Sequence, residues 1–351
     1  MNREENVRET FERQARACET LGSPFTARLC RMAAGNLGTS GAVDRAILEW
    51  PGDASGGGDA LPLRFAGALH ALVLSGQDAD LQAVYPPHDV VDDEVWKAVE
   101  AAMDRHRSFI LERLKSAPQT NEIRRSSVLL PGFLTIAALF NKPLDLFEIG
   151  ASAGLNLQWD RYRYRLGTLD WGDPASPVHL APNWQGPNPP IADIRVRQRL
   201  GCDLNPLDPT SPDDRLRLTS YVWADQRDRM ERLCAALAIA ADAPPTVERA
   251  DALSWLPRVL ARPANGAVRV LYHTVAWQYL PPEDQAKGEA IIVEAGSRAT
   301  PDIPLARLAM EADTSSDGAA ISLQIWPGGE RQDLGRADFH GRWVKWKGWD
   351  A

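Results

Sequence analysis

The chain has 351 residues and a formal net charge of -8, with 44% apolar and 25% charged residues. This balance excludes a disordered chain, and the acidic excess argues against a generic nucleic-acid binder, which needs surplus lysine and arginine to neutralise phosphates. The length favours two structural units over one, and the four cysteines, Cys18, Cys30, Cys202 and Cys234, show no C-x-x-C pairing and read as reduced thiols.

The N-terminus MNREENVRETFERQ is charged and has no apolar stretch of signal-peptide type. No apolar run elsewhere reaches bilayer-spanning length on this reading, so a soluble, cytoplasmic protein with no membrane partner is expected. From residue 7 to about 115 the pattern is helical, with apolar residues three and four apart in 10–21 and 63–74. PGDASGGGD at 51–59 and Tyr85-Pro86-Pro87 interrupt it as loops, the first expected to be mobile. The stretch SVLLPGFLTIAALF predicts a helix entered or kinked at Pro131, leading through Asn141-Lys142-Pro143 into a strand. The domain boundary is placed here: a helical N-terminal domain, 1–125, serving as lid or substrate-binding unit, and a second domain, 126–351.

Beyond Leu144, strand candidates at 145–149, 194–202, 246–250 and 268–273 alternate with longer stretches, of which 215–241 is helical. That order predicts an α/β fold, a Rossmann-like, doubly wound and mostly parallel sheet. Strand candidates at 305–311, 320–326 and 341–346, with Pro327-Gly328-Gly329 turning after the second, add a C-terminal antiparallel hairpin. The proline-rich 174–190 reads as an irregular insertion, and Trp171 and Trp184 predict that this region packs against something.

The chemistry concentrates at LDLFEIGASAGLNL, residues 144–157. Gly150 and Gly154 after an apolar strand allow a tight turn, close ligand approach and a helix start with free N–H groups, and Glu148 stands at the strand's carboxyl end. The pattern E-x-G-x-x-x-G has neither the lysine of a P-loop nor the G-x-G-x-x-G of dinucleotide enzymes, which disfavours an NAD-dependent oxidoreductase. Asp203, ending the next strand candidate, either accepts hydrogen bonds from a ribose diol or starts an Asx-turn. Asp251 either meets an adenine amino group or caps the following helix. VRVLYHTVAWQYLP places His273, Trp277 and Gln278 at another strand end; His273 is a candidate general base or a hydrogen-bonded core histidine. Gln119-Thr120-Asn121-Glu122 reads as a loop that reaches the glycine turn, or as a solvated turn and helix cap. Trp159-Asp160-Arg161-Tyr162-Arg163-Tyr164 fits helix or strand, more readily a surface face with buried tyrosines than a channel lining. His70, His88, His106, His179 and His340 form no ligand spacing, and no metal site is expected.

Glu148 ahead of Gly150, with Asn156-Leu157 following, resembles motif I of class I S-adenosylmethionine-dependent methyltransferases. The resemblance implies S-adenosylmethionine as cofactor, held by Glu148, Gly150, Ser152, Gly154, Asn156, Asp203 and Asp251. It places a substrate-facing loop at His273, Trp277 and Gln278, with Asn121 and Glu122 contributing to substrate binding and Tyr272 or Trp277 facing the methylsulfonium. An Asn-Pro-Pro-Tyr type sequence is missing there, which points away from DNA or protein amides and towards a small-molecule acceptor. Over nearly its whole length, through QTNE, FEIGASAGLNLQWDRYRY, WGDPASPV, GCDLNPLDP, HTVAWQYLP and FHGRWVKW, the chain is identified as a member of the bacterial domain-of-unknown-function 2332 family. The competing functional reading is a non-catalytic module that binds S-adenosylmethionine or a nucleotide for sensing or interaction.

Overall fold

A computed structural model describes residues 3–264 and 266–350, so the expected outer domain bounds at 1 and 351 lie outside the described residues. By its contacts the chain divides into two compact units, Met1–Thr120 with Pro212–Glu231, and Asn121–Ser211 with Arg232–Ala351. The division falls slightly ahead of the expected 125/126, and the return of 212–231 to the first unit carries no signal in the sequence pattern.

The first unit holds α1 (Arg3–Thr20), α2 (Pro24–Asn36), α3 (Ala42–Leu48), α4 (Leu61–Leu74), α5 (Ala79–Val84), α6 (Asp92–Arg105) and α7 (Arg107–Leu114), and later α9 (Pro212–Ser220). Each early helix turns an apolar stripe inward, and Phe11, Ile47, Phe65, Leu69, Val99 and Ile110 form the core. The returning segment is held by polar contacts of its own. The Asp225 carboxylate accepts the Ser23 hydroxyl and the Phe25 N–H (2.8 Å), and His70 Nδ1 lies 3.2 Å from the Ser220 carbonyl in a buried setting. The glycine-rich loop expected to be mobile is pinned by Trp50 Nε1 donating to Asp59 (2.8 Å) and by Arg64 donating to the Asp59 carbonyl (2.5 Å).

The second unit is a mixed α/β structure around a large, mostly parallel sheet. Its elements are α8 (Ser126–Phe140), β1 (Leu144–Ile149), β2 (Arg163–Leu166), β3 (Leu169–Trp171), β4 (His179–Leu180), β5 (Asn183–Gln185) and β6 (Val196–Asp203). There follow α10 (Arg227–Asp242), of which the residues up to Glu231 count with the first unit, β7 (Thr246–Arg249), α11 (Ala252–Leu260), β8 (Val268–Thr274), α12 (Pro282–Ser297), β9 (Leu305–Glu311), β10 (Ala319–Trp326), β11 (Glu330–Ala337) and β12 (Trp343–Trp346). The strand order is β5-β12-β11-β10-β9-β8-β1-β6-β7; β7, β6, β1, β8 and β9 run parallel, and β10, β11 and β12 antiparallel. β1 is buried along all six residues, as a central parallel strand covered on both faces must be. Asp145 within it is compensated by Arg197 of β6, whose Nε donates at 2.7 Å. Phe147, Leu200 and Leu271 pack with Trp255 and Leu256 of α11 and Ile292 of α12.

Three expectations need correction. Residues 215–241 are two helices, α9 and α10, parted where Tyr221 and Asp225 turn into the first unit's contacts. The 174–190 insertion is not irregular throughout, since β4 joins β2 and β3 in a small sheet and β5 joins the large sheet beside β12, while the expected packing is there, Trp171 on Trp159 and Trp184 on Trp346. One stretch, Ile123–Phe140, does have the length and composition to cross a bilayer, with mean hydropathy 1.4, but 72% of it is buried inside the protein. A core helix covered by neighbours is equally apolar.

Candidate functional site

At the carboxyl end of β1 the chain reverses through three left-handed residues, Gly150 (φ 70°), Ser152 (φ 55°) and Gly154 (φ 70°). A Cβ on Gly150 would stand 2.7 Å from that of Ala276, and one on Gly154 2.5 Å from Pro245 Cγ, so glycine is required twice over. The turn leads into the expected helix start, a seven-residue 3-10 helix, Leu155–Arg161. Its N–H groups are largely used by the protein itself. Gly150 and Ala151 donate to the Cys202 carbonyl (2.9 and 3.0 Å), Ser152 to Asp203 Oδ2 (2.9 Å) and Leu155 to Asn121 Oδ1 (3.0 Å).

Asp203 therefore plays a local role: Oδ2 braces the turn while Oδ1 accepts the Asn205 N–H at 2.8 Å, an Asx-turn. Asp251 is exposed and caps α11, accepting Leu253 N–H (2.9 Å) and Ser254 N–H (3.3 Å). Asn121 reaches the glycine turn as expected, and Glu122 accepts the Arg124 N–H at 3.2 Å as the cap of a short 3-10 turn. Asn156 is buried, its Oδ1 accepting the Ser126 hydroxyl (2.7 Å) and its Nδ2 donating to the Glu122 carbonyl (3.3 Å).

Beneath the turn lies Glu148, 1% exposed. Among the described residues it has one side-chain partner, the Tyr272 hydroxyl, which donates to Oε2 over 3.3 Å. Burial, aided by the charge of Asp203, pushes the carboxyl well above its usual range against the pull of the Tyr272 hydrogen bond and Arg125. Tyr272 is fully buried and edge-on to Phe133, so its ring faces no solvent.

At the end of β8, His273 is 1% exposed and engaged at both ring nitrogens. Nδ1 lies 2.7 Å from Glu311 Oε1, and Nε2 accepts Arg307 Nε at 3.1 Å. An Nε2 that accepts is unprotonated, which makes the ring neutral with its proton on Nδ1. Burial, reinforced by the charge of Arg307, holds its pKa below the ordinary range although Glu311 pulls it up. The Glu311 carboxylate also takes three successive loop N–H groups, from Ala276 (3.0 Å), Trp277 (3.1 Å) and Gln278 (3.2 Å). Burial opposes its ionisation, but these bonds and His273 outweigh it and keep the carboxyl below its usual range. Arg307 continues the array to Glu289 Oε1 (2.5 Å) and lies 4.7 Å from the Trp277 ring centroid, while His273 stacks on the same indole at 5.2 Å. Both neighbours thus occupy the indole that was expected to face a methylsulfonium. Gln278 accepts the Ala312 N–H through Oε1 at 2.9 Å. The held loop contains Val275 at φ 51°, a costly conformation for a β-branched residue, directly before the Ala276 that meets Gly150.

The structure thus gathers Glu148, Gly150, Ser152, Gly154, Asn156, Asp203 and Asn121 around one turn, and His273, Trp277 and Gln278 at the end of β8 and the loop facing Gly150; Asp251, next to the Ala250 whose N–H bonds the Asp203 carbonyl (3.0 Å), lies at the same sheet edge as the cap of α11. Glu311 and Arg307 escaped the sequence reading. Their signal was two charges on one face of the apolar strand LARLAME, and the pairing of His273 with Ala309 sets the histidine between them.

A family model matches residues 8–346, nearly the entire chain. The chain belongs to the DUF2332 family, described as an uncharacterized protein conserved in bacteria. Among curated proteins, no sequence matches it. In this DUF2332 chain the turn after β1 and the loop opposite carry the chemistry-bearing side chains.

Proposed function

We propose that the second unit is a Rossmann-like S-adenosylmethionine-binding domain that transfers a methyl group to a small-molecule acceptor. The carrying observation is the strand order β7-β6-β1-β8-β9: the chain steps from β1 outward through β6 and β7, then crosses to β8 and β9 on the other side. Open parallel sheets bind ligands outside the carboxyl ends of their strands where the order reverses, and Gly150 and Ala276 flank that point. Glu148 fits such a ligand, because Oε1 has no protein partner among the described residues and can accept from the cofactor's amino group. Asp203 spends one lone pair of each oxygen on Ser152 and Asn205, which leaves a second on each for ribose hydroxyls.

When bound, the cofactor supplies an activated methyl group. The residues of this chain orient it, and in-line positioning is the main demand of methyl transfer. With both nitrogens committed, His273 serves to shape the loop, and the acceptor must arrive with its nucleophile already deprotonated or intrinsically nucleophilic. The same commitment of His273 favours the second reading, a module that binds the cofactor without turning it over. Calorimetry of the full chain with S-adenosylmethionine and S-adenosylhomocysteine tests the binding, and Glu148→Gln is expected to weaken it roughly tenfold, the worth of one charge-assisted hydrogen bond. Absence of any binding heat at millimolar ligand would sink the proposal. Binding without product formation across a metabolite panel selects the second reading.

A further inference from the structure

The helical unit carries a cluster of arginines that the glycine-turn reading leaves unused. Arg64 of α4, Arg113 in the last turn of α7 and Arg217 in the last turn of α9 all act on Tyr221. The Tyr221 ring rests on α4, where a Cβ on Gly67 would lie 2.6 Å from its Cε1, and its hydroxyl donates to the Ser116 carbonyl at 3.2 Å, just beyond α7. One aromatic side chain therefore ties the three helices together.

Arg64 is fully employed. It is buried, donates to the Leu114 and Lys115 carbonyls (3.0 Å each) and pairs with Asp59 (3.2 Å). Arg113 and Arg217 are not. Both are half-buried, and among the described residues neither forms an ion pair and the buried Nε of Arg217 has no acceptor. The guanidinium carbon of Arg113 lies 5.1 Å from the centroid of the Phe109 ring. Burial lowers the pKa of Arg113, Tyr221 opposes it, and of the two nearby charges Arg217 lowers it further while Asp213 raises it. Asp213 is exposed and makes no ion pair among the described residues.

Buried cations are normally paired, and a buried N–H without an acceptor needs an explanation. Position at helix C-termini supplies part of one, since each negative helix end favours a cation by about 0.3–1 kcal/mol. It does not supply an acceptor for Arg217 Nε, and it gives no reason to set two like charges beside each other. A ligand of opposite charge does both. Guanidinium groups match the planar oxygen edges of carboxylates and phosphates, and a phosphate monoester brings nearly two charges and three peripheral oxygens, enough for both arginines, where one carboxylate neutralises a single cation.

We propose that Arg113 and Arg217, beside Tyr221, form a binding site in the helical unit for a phosphate group, carried by a small ligand or substrate. The site lies within the first unit and is independent of cofactor binding at the glycine turn.

The test uses the full chain and inorganic phosphate at pH 7, by calorimetry and thermal denaturation, with sodium chloride and sodium acetate at matched ionic strength. Phosphate is expected to bind one per chain and to raise the denaturation midpoint beyond either control. Arg113→Gln and Arg217→Gln should each weaken phosphate binding roughly tenfold or more, as loss of one guanidinium fork implies. Without phosphate, both variants should melt at or above the parent temperature, because removing one of two like charges relieves repulsion. A purely structural role predicts a lower midpoint in the variants together with unchanged anion response, and that result overturns the proposal. So does parent protein that ignores phosphate, or that responds equally to acetate.

Discussion

Replacing Glu311 by alanine should be among the most damaging single changes in the second unit. The carboxylate holds His273 at 2.7 Å and three consecutive N–H groups between 3.0 and 3.2 Å. Hydrogen bonds to a charged group contribute about 1.5–3 kcal/mol each, but the four share two oxygens, and the side chain is 15% exposed, so water recovers part of the loss. Breaking a buried, hydrogen-bonded charge network by removing one partner costs about 3–5 kcal/mol. At roughly 2–4 °C per kcal/mol for a unit of this size, the denaturation midpoint should fall by about 6–20 °C. Glu311→Gln keeps an acceptor oxygen without the charge and should fall between variant and parent. Urea denaturation followed by tryptophan fluorescence reads the difference, since Trp277 sits on the held loop. A Glu311→Ala midpoint within about 1 kcal/mol of the parent would refute the claim that this carboxylate organises the loop.

Gly150→Ala combines a left-handed backbone with a Cβ 2.7 Å from Ala276 and should cost about 2–5 kcal/mol; an unchanged urea midpoint would show that the turn relaxes freely. Acidification from pH 7 to 5 should lower the thermal midpoint. His70 and His273 both have pKa values depressed by burial, so the unfolded chain takes up protons that the folded one refuses, and stability drops as pH passes below the ordinary histidine value of about 6.5. A flat profile over that range would contradict the burial of both rings. Thiol titration of native protein at pH 8 should modify Cys234 rapidly and the other three only after unfolding. Cys18, Cys30 and Cys202 are buried, and burial pushes Cys202 up to about 12; rapid reaction of a second thiol would count against the packing described.

Continuous apolar runs made the buried strands readable. β9 was expected at 305–311 and spans Leu305–Glu311, and β7, β8 and β10 begin or end within a residue of the expected bounds. β11 was missed because ERQDLGRA buries only Leu334, Gly335 and Ala337, so no alternation survives to mark it. The ambiguous 159–164 proved to be both things in turn, a 3-10 helix to Arg161 and a strand from Arg163, with Tyr162 and Tyr164 buried. At the site, Gly150, Gly154 and Asp203 were visible because tight turns admit few residue types. The His273 array was not, since it depends on the register between β8 and β9, which no local pattern records.

The large sheet ends in strands of three residues at β5 and four at β7. So short an edge presents few unpaired N–H and C=O groups, and a foreign strand laid against it would gain little. The tryptophan-bearing insertion that supplies β5 is therefore also a guard against aggregation. Deleting it would bare the flank of β12, including Val344 and Trp346, and turn a protected margin into a template for strand addition.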